Sequence, residues 1–161
     1  MSAGHQVYTC LRFGLEAEAA ANFYLSLFAD ARMRHLTRCG AGGPLPEGVV
    51  LVAEIELNGA RLMLMNGGPA VVHSNAASLV VECETQAEID RLWAALTAEG
   101  GRELFCGWLA DRFGVHWQVV PHQIARWMTG SDAAATSRVM AAVMTMVKLD
   151  MATLEAAFEG K

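Results

Sequence analysis

Apolar and polar positions alternate at the start of the chain and then change period. Val7, Thr9, Leu11 and Phe13 share one face of a predicted strand over 7–13, with Tyr8, Cys10 and Arg12 on the other. The repeat then lengthens. Ala17, Ala20, Ala21, Tyr24, Leu27 and Phe28 recur at helical spacing within EAEAAANFYLSLF. A weaker strand pattern covers 32–38, and CGAGGPLPEG reads as a loop from its Gly and Pro content. Strands over 49–57 and 61–66 follow. They are joined by Asn58-Gly59, a pair that accepts the positive φ angles of a two-residue hairpin turn. Asn66-Gly67-Gly68-Pro69 closes this half.

The same order returns about 70 residues later. A strand is predicted over 77–84. A helix over 85–99 opens with the capping-box pair Thr85 and Glu88 and closes at Gly100-Gly101. Its apolar stripe is Ile89, Leu92, Trp93 and Leu96. Three short strands follow, over 102–106, 108–112 and 115–120, and Pro121 stops the last. The order β-α-β-β-β therefore occurs twice. The tail reads as helical from Ser131 onward, with Ser131 or Asp132 as its cap and an apolar stripe of Val139, Met140, Val143, Met144 and Val147. Asp150 can cap a second short helix bearing Leu154 and Phe158. The expected organisation is one domain over 1–161, with modules at about 5–69 and 76–121 and a helical tail over 122–161.

Composition narrows the function classes. Among 161 residues, 53% are apolar and 18% charged, which suits a packed globule. The net charge of −5 and the absence of a basic run argue against a nucleic-acid partner, because phosphate contacts need clustered Lys and Arg. No apolar stretch reaches the roughly 18 residues of a membrane span, and MSAGHQVYTC has no secretory pattern, so a cytoplasmic protein is expected. Cys10, Cys39, Cys83 and Cys106 are scattered without CxxC spacing, which suits free thiols. His5, His35, His73, His116 and His122 contain no i, i+4 pair of the kind that grips a metal from a helix.

Several segments carry a family resemblance. EAEAAANFYLSLF, LNGARLMLMNGGP, SLVVECETQAEID, CGWLADRFGVHWQVVP and VMAAVMTMVKLDMATLEAAF occur in the order seen in the PhnB-like branch of the vicinal oxygen chelate superfamily. That branch is often labelled as a 3-demethylubiquinone 3-methyltransferase domain. The resemblance implies an α+β fold of two βαβββ modules forming a cup, the glyoxalase and bleomycin-resistance fold, with C-terminal helices. It also implies a homodimer, for which Val139, Val143 and Val147 offer an apolar surface. This chain departs from the family pattern at Gly14-Leu15, at Arg12 and at Val71-Val72-His73.

Enzymes of the superfamily hold a divalent metal through His, Glu or Gln on the first, fourth, fifth and eighth strands. Carried over by position, these sites fall on Thr9, within 62–65, on Ser78 and on Gln118. Hydroxyls and thioethers are poor ligands for such a cation and the one amide oxygen of Gln118 cannot hold it alone, so no metal and no cofactor is expected. The expected ligand-binding residues are Thr9, Ser78, Trp108, His116 and Gln118. Trp108 would supply a flat wall for an apolar or planar molecule, and His116 alternates with Gln118 on one strand face. Trp117, between Val115 and Val119, follows a core pattern, and Asp111 reads as turn chemistry. The leading expectation is a metal-free small-molecule-binding protein. The alternatives are a metal-dependent lyase, dioxygenase or isomerase of the same superfamily, the methyltransferase of the label, and a purely structural dimer module. The methyltransferase lacks a Gly-rich strand-to-helix turn, since Gly14-Leu15-Glu16 follows the first strand.

Overall fold

The computed structural model describes residues 6–69 and 71–161; His5 lies outside them. The chain divides into two compact units, Met1–Val72 and His73–Lys161. The first contains β1 (Thr9–Phe13), α1 (Ala17–Leu27), β2 (Ala31–Arg38), β3 (Val50–Leu57) and β4 (Ala60–Asn66). The second contains β5 (Leu79–Cys83), α2 (Gln86–Thr97), β6 (Arg102–Glu103), β7 (Trp108–Ala110) and β8 (His116–Pro121). Three tail helices follow: α3 (Ile124–Thr129), α4 (Ala133–Val143) and α5 (Met151–Glu159). The eight strands form two four-stranded sheets, in the orders β1-β4-β3-β2 and β5-β8-β7-β6. In each, the first and last strands of the module run parallel and the rest antiparallel. The repeat read from the residue pattern is thus a repeat of topology.

Local signals account for several boundaries. Asn58 and Gly59 both adopt positive φ, 45° and 87°, as the hairpin joining β3 to β4 requires. Thr85 accepts from the backbone N–H of Glu88, whose side chain returns to the N–H of Thr85, so two otherwise unpaired donors at the start of α2 are satisfied. Asp132 and Asp150 cap α4 and α5 through the N–H groups of Ala134, Ala135 and Thr153.

In the first unit, α1 buries Ala17, Ala20, Ala21, Tyr24 and Leu27. Asn66 is buried at the end of β4. Its Oδ1 accepts from the N–H of Ala17 at 2.9 Å and its Nδ2 donates to the carbonyl of Val50 at 2.8 Å. One side chain thereby ties the helix start to two strands. In the second unit, Ile89, Leu92, Trp93 and Leu96 of α2 are buried, as are Leu109, Trp117 and Val119 of the sheet.

Several expected boundaries move. The strand expected over 102–106 ends at Glu103, because Cys106 and Gly107 take positive φ of 63° and 78°. That expected over 108–112 ends at Ala110, where Asp111 begins a turn. Helix α3, over Ile124–Thr129, precedes the expected start of the helical tail, and the buried Trp127 anchors it. α4 ends at Val143, so Met144 and Val147 leave the expected stripe. The segment after α4 instead pairs with the irregular strand end: Cys106 donates to the Met146 carbonyl and Gly107 to that of Val147, both at 2.8 Å. Val139 is buried with Val120, Trp127, Leu149 and Leu154, and Val143 packs against that cluster. Val139 and Val143 of the stripe are therefore taken up by this cluster, whereas Met140 and Met144 stay exposed. Gln86 reinforces the docking by donating to the Leu149 carbonyl and accepting from the N–H of Met151. No helix of the described residues is long and apolar enough to cross a membrane.

Candidate functional site

Side chains of the second sheet alternate between two faces. Leu109, Trp117 and Val119 turn into the core with the buried face of α2. The intervening residues present the other face. There Val80 pairs with Gln118, Gln118 with Trp108, and His116 with Ala110. Ser78 immediately precedes β5 on the same alternation as Val80. Gln118 Nε2 donates to Ser78 Oγ at 2.9 Å, across 40 residues of sequence. Trp108 and Gln118 are half-buried and Val80 is exposed. His116 is only 7% exposed, and its Nδ1 is fully enclosed with no hydrogen-bond partner among the described residues. Four of the five expected binding residues therefore share one face of one sheet, and none of the four is Asp, Glu, Lys or Arg.

Thr9 belongs to the other unit. It pairs with Leu62 and shares its face with Leu11 and Phe13. The pairings explain the mismatch. Aligning the last pairs, Phe13 with Asn66 and Cys83 with Pro121, makes Tyr8 the counterpart of Ser78. A displacement of one residue moves a side chain to the opposite face. By the same registers, Arg61, Met63 and Glu54 are the counterparts of His116, Gln118 and Trp108. In the first unit two of these positions, Arg61 and Glu54, belong to a charge network, although Arg61 Nε is enclosed without a hydrogen-bond partner among the described residues. The Arg61 guanidinium lies 3.9 Å from the Tyr8 ring centroid, pairs with Glu54 at 2.6 Å and donates to Gln6 at 3.0 Å. The neighbouring carboxylate of Glu56 is held below its usual range by hydrogen bonds from Arg34 and then Arg32. Among the described residues, no ion pair joins Ser78, Trp108, His116 or Gln118 on the corresponding row of the second sheet.

These donors do not fit the divalent metal used by superfamily enzymes. Tyr8, Met63, Ser78 and Gln118 offer phenol, thioether, hydroxyl and amide. Among the described residues, no group of three or more His, Cys, Asp or Glu could hold a metal ion. Two of the thiols, Cys10 and Cys83, are also poorly suited to nucleophilic work. Burial pushes Cys83 up to about 11 and raises Cys10. Cys106 makes a 3.7 Å contact with the thioether of Met144.

The segment CGWLADRFGVHWQVVP holds a structural centre beside the binding candidates. Asp111 is 3% exposed. It accepts from the N–H groups of Phe113 and Val115 and from the Trp117 indole N–H, at 2.9, 3.0 and 2.9 Å. The turn assignment for Asp111 was legible in sequence; its bond to Trp117 was not, although the Asp–x5–Trp spacing across a short hairpin contained the signal.

Comparison with known proteins agrees with this architecture. The family model for 3-demethylubiquinone-9 3-methyltransferase matches residues 5–120, so α3, α4 and α5 lie beyond it. A solved structure from Bacillus cereus, described as a putative 3-demethylubiquinone-9 3-methyltransferase, PhnB protein, is 34% identical, with a TM-score of 0.67. The match covers 72% of this chain and 99% of that one. Protein PA1353 from Pseudomonas aeruginosa shares the fold at 22% identity and a TM-score of 0.62, over 73% of this chain and 98% of that one. No curated protein sequence matches. Two βαβββ units in one chain, matched over 116 residues by one family, settle the relationship: the chain belongs to the 3-demethylubiquinone-9 3-methyltransferase family, and it resembles the PhnB protein of Bacillus cereus within it.

Proposed function

We propose that this chain is a cytoplasmic, metal-free small-molecule-binding protein. In this reading, its binding wall is the row Ser78, Trp108, His116 and Gln118. The observation carrying the reading is that these four residues gather on one sheet face while offering hydrogen-bonding groups without charge. Such a wall suits a neutral ligand with an apolar or planar body. Trp108 covers the body, and Gln118, held by Ser78, orients a carbonyl or hydroxyl. The methyltransferase activity named for relatives finds no support in a Gly-rich strand-to-helix turn, since Gly14-Leu15-Glu16 follows β1.

Elemental analysis of protein purified without chelator or histidine tag tests the metal-free reading. Substoichiometric Zn, Ni, Mn and Fe are expected. Near-stoichiometric metal, lost in Gln118→Leu, would instead favour the lyase, dioxygenase or isomerase class. For a neutral ligand retained in native mass spectrometry, Gln118→Leu should weaken binding by no more than about tenfold, the size of one buried neutral hydrogen bond.

A homodimer is part of the same proposal. Of the valines expected to form its surface, Val139 and Val143 pack within the tail cluster, while Phe105, Met140 and Met144 are among the exposed apolar side chains. Light scattering at micromolar concentration should give twice the chain mass; a monomer would refute the dimer.

A further inference from the structure

The start of β7 is held from the tail. Trp108 is the first residue of this three-residue strand, and the ends of elements are where a fold opens most easily. The two residues before it, Cys106 and Gly107, have positive φ angles of 63° and 78°. Glycine takes positive and negative φ with nearly equal ease, so Gly107 does not fix its own backbone. Its neighbours do. The Cys106 N–H donates to the Met146 carbonyl and the Gly107 N–H to that of Val147, both at 2.8 Å. The Gly107 carbonyl accepts from the Val119 N–H at 2.9 Å. A Cβ added to Gly107 would stand 2.9 Å from Cγ of Leu149, so the Leu149 side chain lies directly against the glycine. Three of these four restraints come from the tail. Leu149 is fixed in turn. It is buried with Val120, Trp127, Val139 and Leu154, and its carbonyl accepts from Gln86.

The Trp108 ring relies on this backbone for its place. The indole N–H groups of Trp93 and Trp117 are anchored to Glu103 and Asp111. Among the described residues, no hydrogen bond anchors the Trp108 indole in that way. A turn of the main chain at Gly107 would therefore swing the ring relative to Gln118, its neighbour across the strand pair. We infer that Leu149 is a positioning residue for Trp108: the tail fixes Gly107, Gly107 aims the indole, and ligand affinity at the wall depends on that aim. The inference rests on the binding wall proposed above.

Fluorine NMR of the intact chain labelled with 5-fluorotryptophan tests the positioning, with the Trp108 signal assigned by Trp108→Phe. Leu149→Ala should shift or broaden the Trp108 signal, and Leu149→Met, which refills the space, should restore it. Leu154→Ala is the control. It removes a neighbour from the same buried cluster without touching Gly107, so it should move the Trp127 signal and leave Trp108 in place. Thermal melts verify that each variant is folded, and Leu149→Val, a smaller cut, carries the comparison if Leu149→Ala loses the fold. Calorimetry with 2-naphthol, a neutral planar probe, tests the consequence for binding. Leu149→Ala should weaken its binding about fivefold where Trp108 is present and not at all in a Trp108→Ala background, because the two residues act through one contact. An unmoved Trp108 signal in the folded Leu149 variants, or an equal loss of affinity with and without Trp108, would overturn the role of Leu149 and leave the wall standing. A probe that fails to bind at millimolar concentration, or binds equally well to Trp108→Ala, would overturn the wall and this inference together.

Discussion

Replacing Asp111 by alanine should destabilise the second unit by about 3–5 kcal/mol, much of the roughly 5–15 kcal/mol that holds a domain folded. The carboxylate is buried and receives two backbone N–H groups of its own turn and the indole N–H of Trp117. Removing it strands all three donors where water has little access, and each stranded donor costs about 1–3 kcal/mol. The loss should appear in urea unfolding as a lower midpoint with an unchanged slope. Asp111→Asn should recover part of it, because Oδ1 can still accept from the turn while the amide group confronts the indole N–H. A midpoint in Asp111→Ala within the error of the parent would show that the turn finds other acceptors.

Substituting Gly101 by alanine should cost about 3 kcal/mol, the upper part of the range for overpacking. Gly101 follows the short 3-10 turn Ala98–Gly100 that ends α2, where the chain doubles back on the helix. An added Cβ would stand 2.7 Å from the Cα of Thr97 and closer still to the carbonyl oxygen of Leu96. Both are backbone atoms, so no side-chain rotation relieves the overlap. The end of α2 must shift, and Leu96 and Trp93 with it. Gly40 supplies the control. It has open space around its Cβ position, and Gly40→Ala should stay within about 0.5 kcal/mol of the parent. Equal unfolding midpoints for Gly101→Ala and Gly40→Ala would refute the steric account.

What the sequence alone determined here is what neighbouring residues decide among themselves. The paired positive φ angles of Asn58-Gly59, the Thr85–Glu88 capping box and the caps at Asp132 and Asp150 all involve groups within a few positions of each other. Apolar spacing marked the core faces of α1 and α2, since burial follows helical period, and the order of these elements exposed the repeat. The family resemblance added the two-module fold, which the matched sheet orders bear out.

Tertiary structure decided what depends on register and distant partners. Position counting put the first-strand site on Thr9, whereas the pairings of β1 with β4 and β5 with β8 make Tyr8 the counterpart of Ser78. The period of a strand is two, so a one-residue difference invisible in composition reverses a side chain's face. Asn66 looked like a turn residue, yet it is buried between Ala17 and Val50, 49 and 16 positions away. Val139 seemed free for a partner subunit because its partners, Trp127, Leu149 and Leu154, come from three separate segments. Cys106 and Gly107 leave the strand because their backbone is held by Met146 and Val147, which no local pattern announces. The bond between Ser78 and Gln118 and the unpaired nitrogen of His116 belong to the same class: each depends on which strands lie side by side, and hydrogen bonds form between atoms that folding brings together.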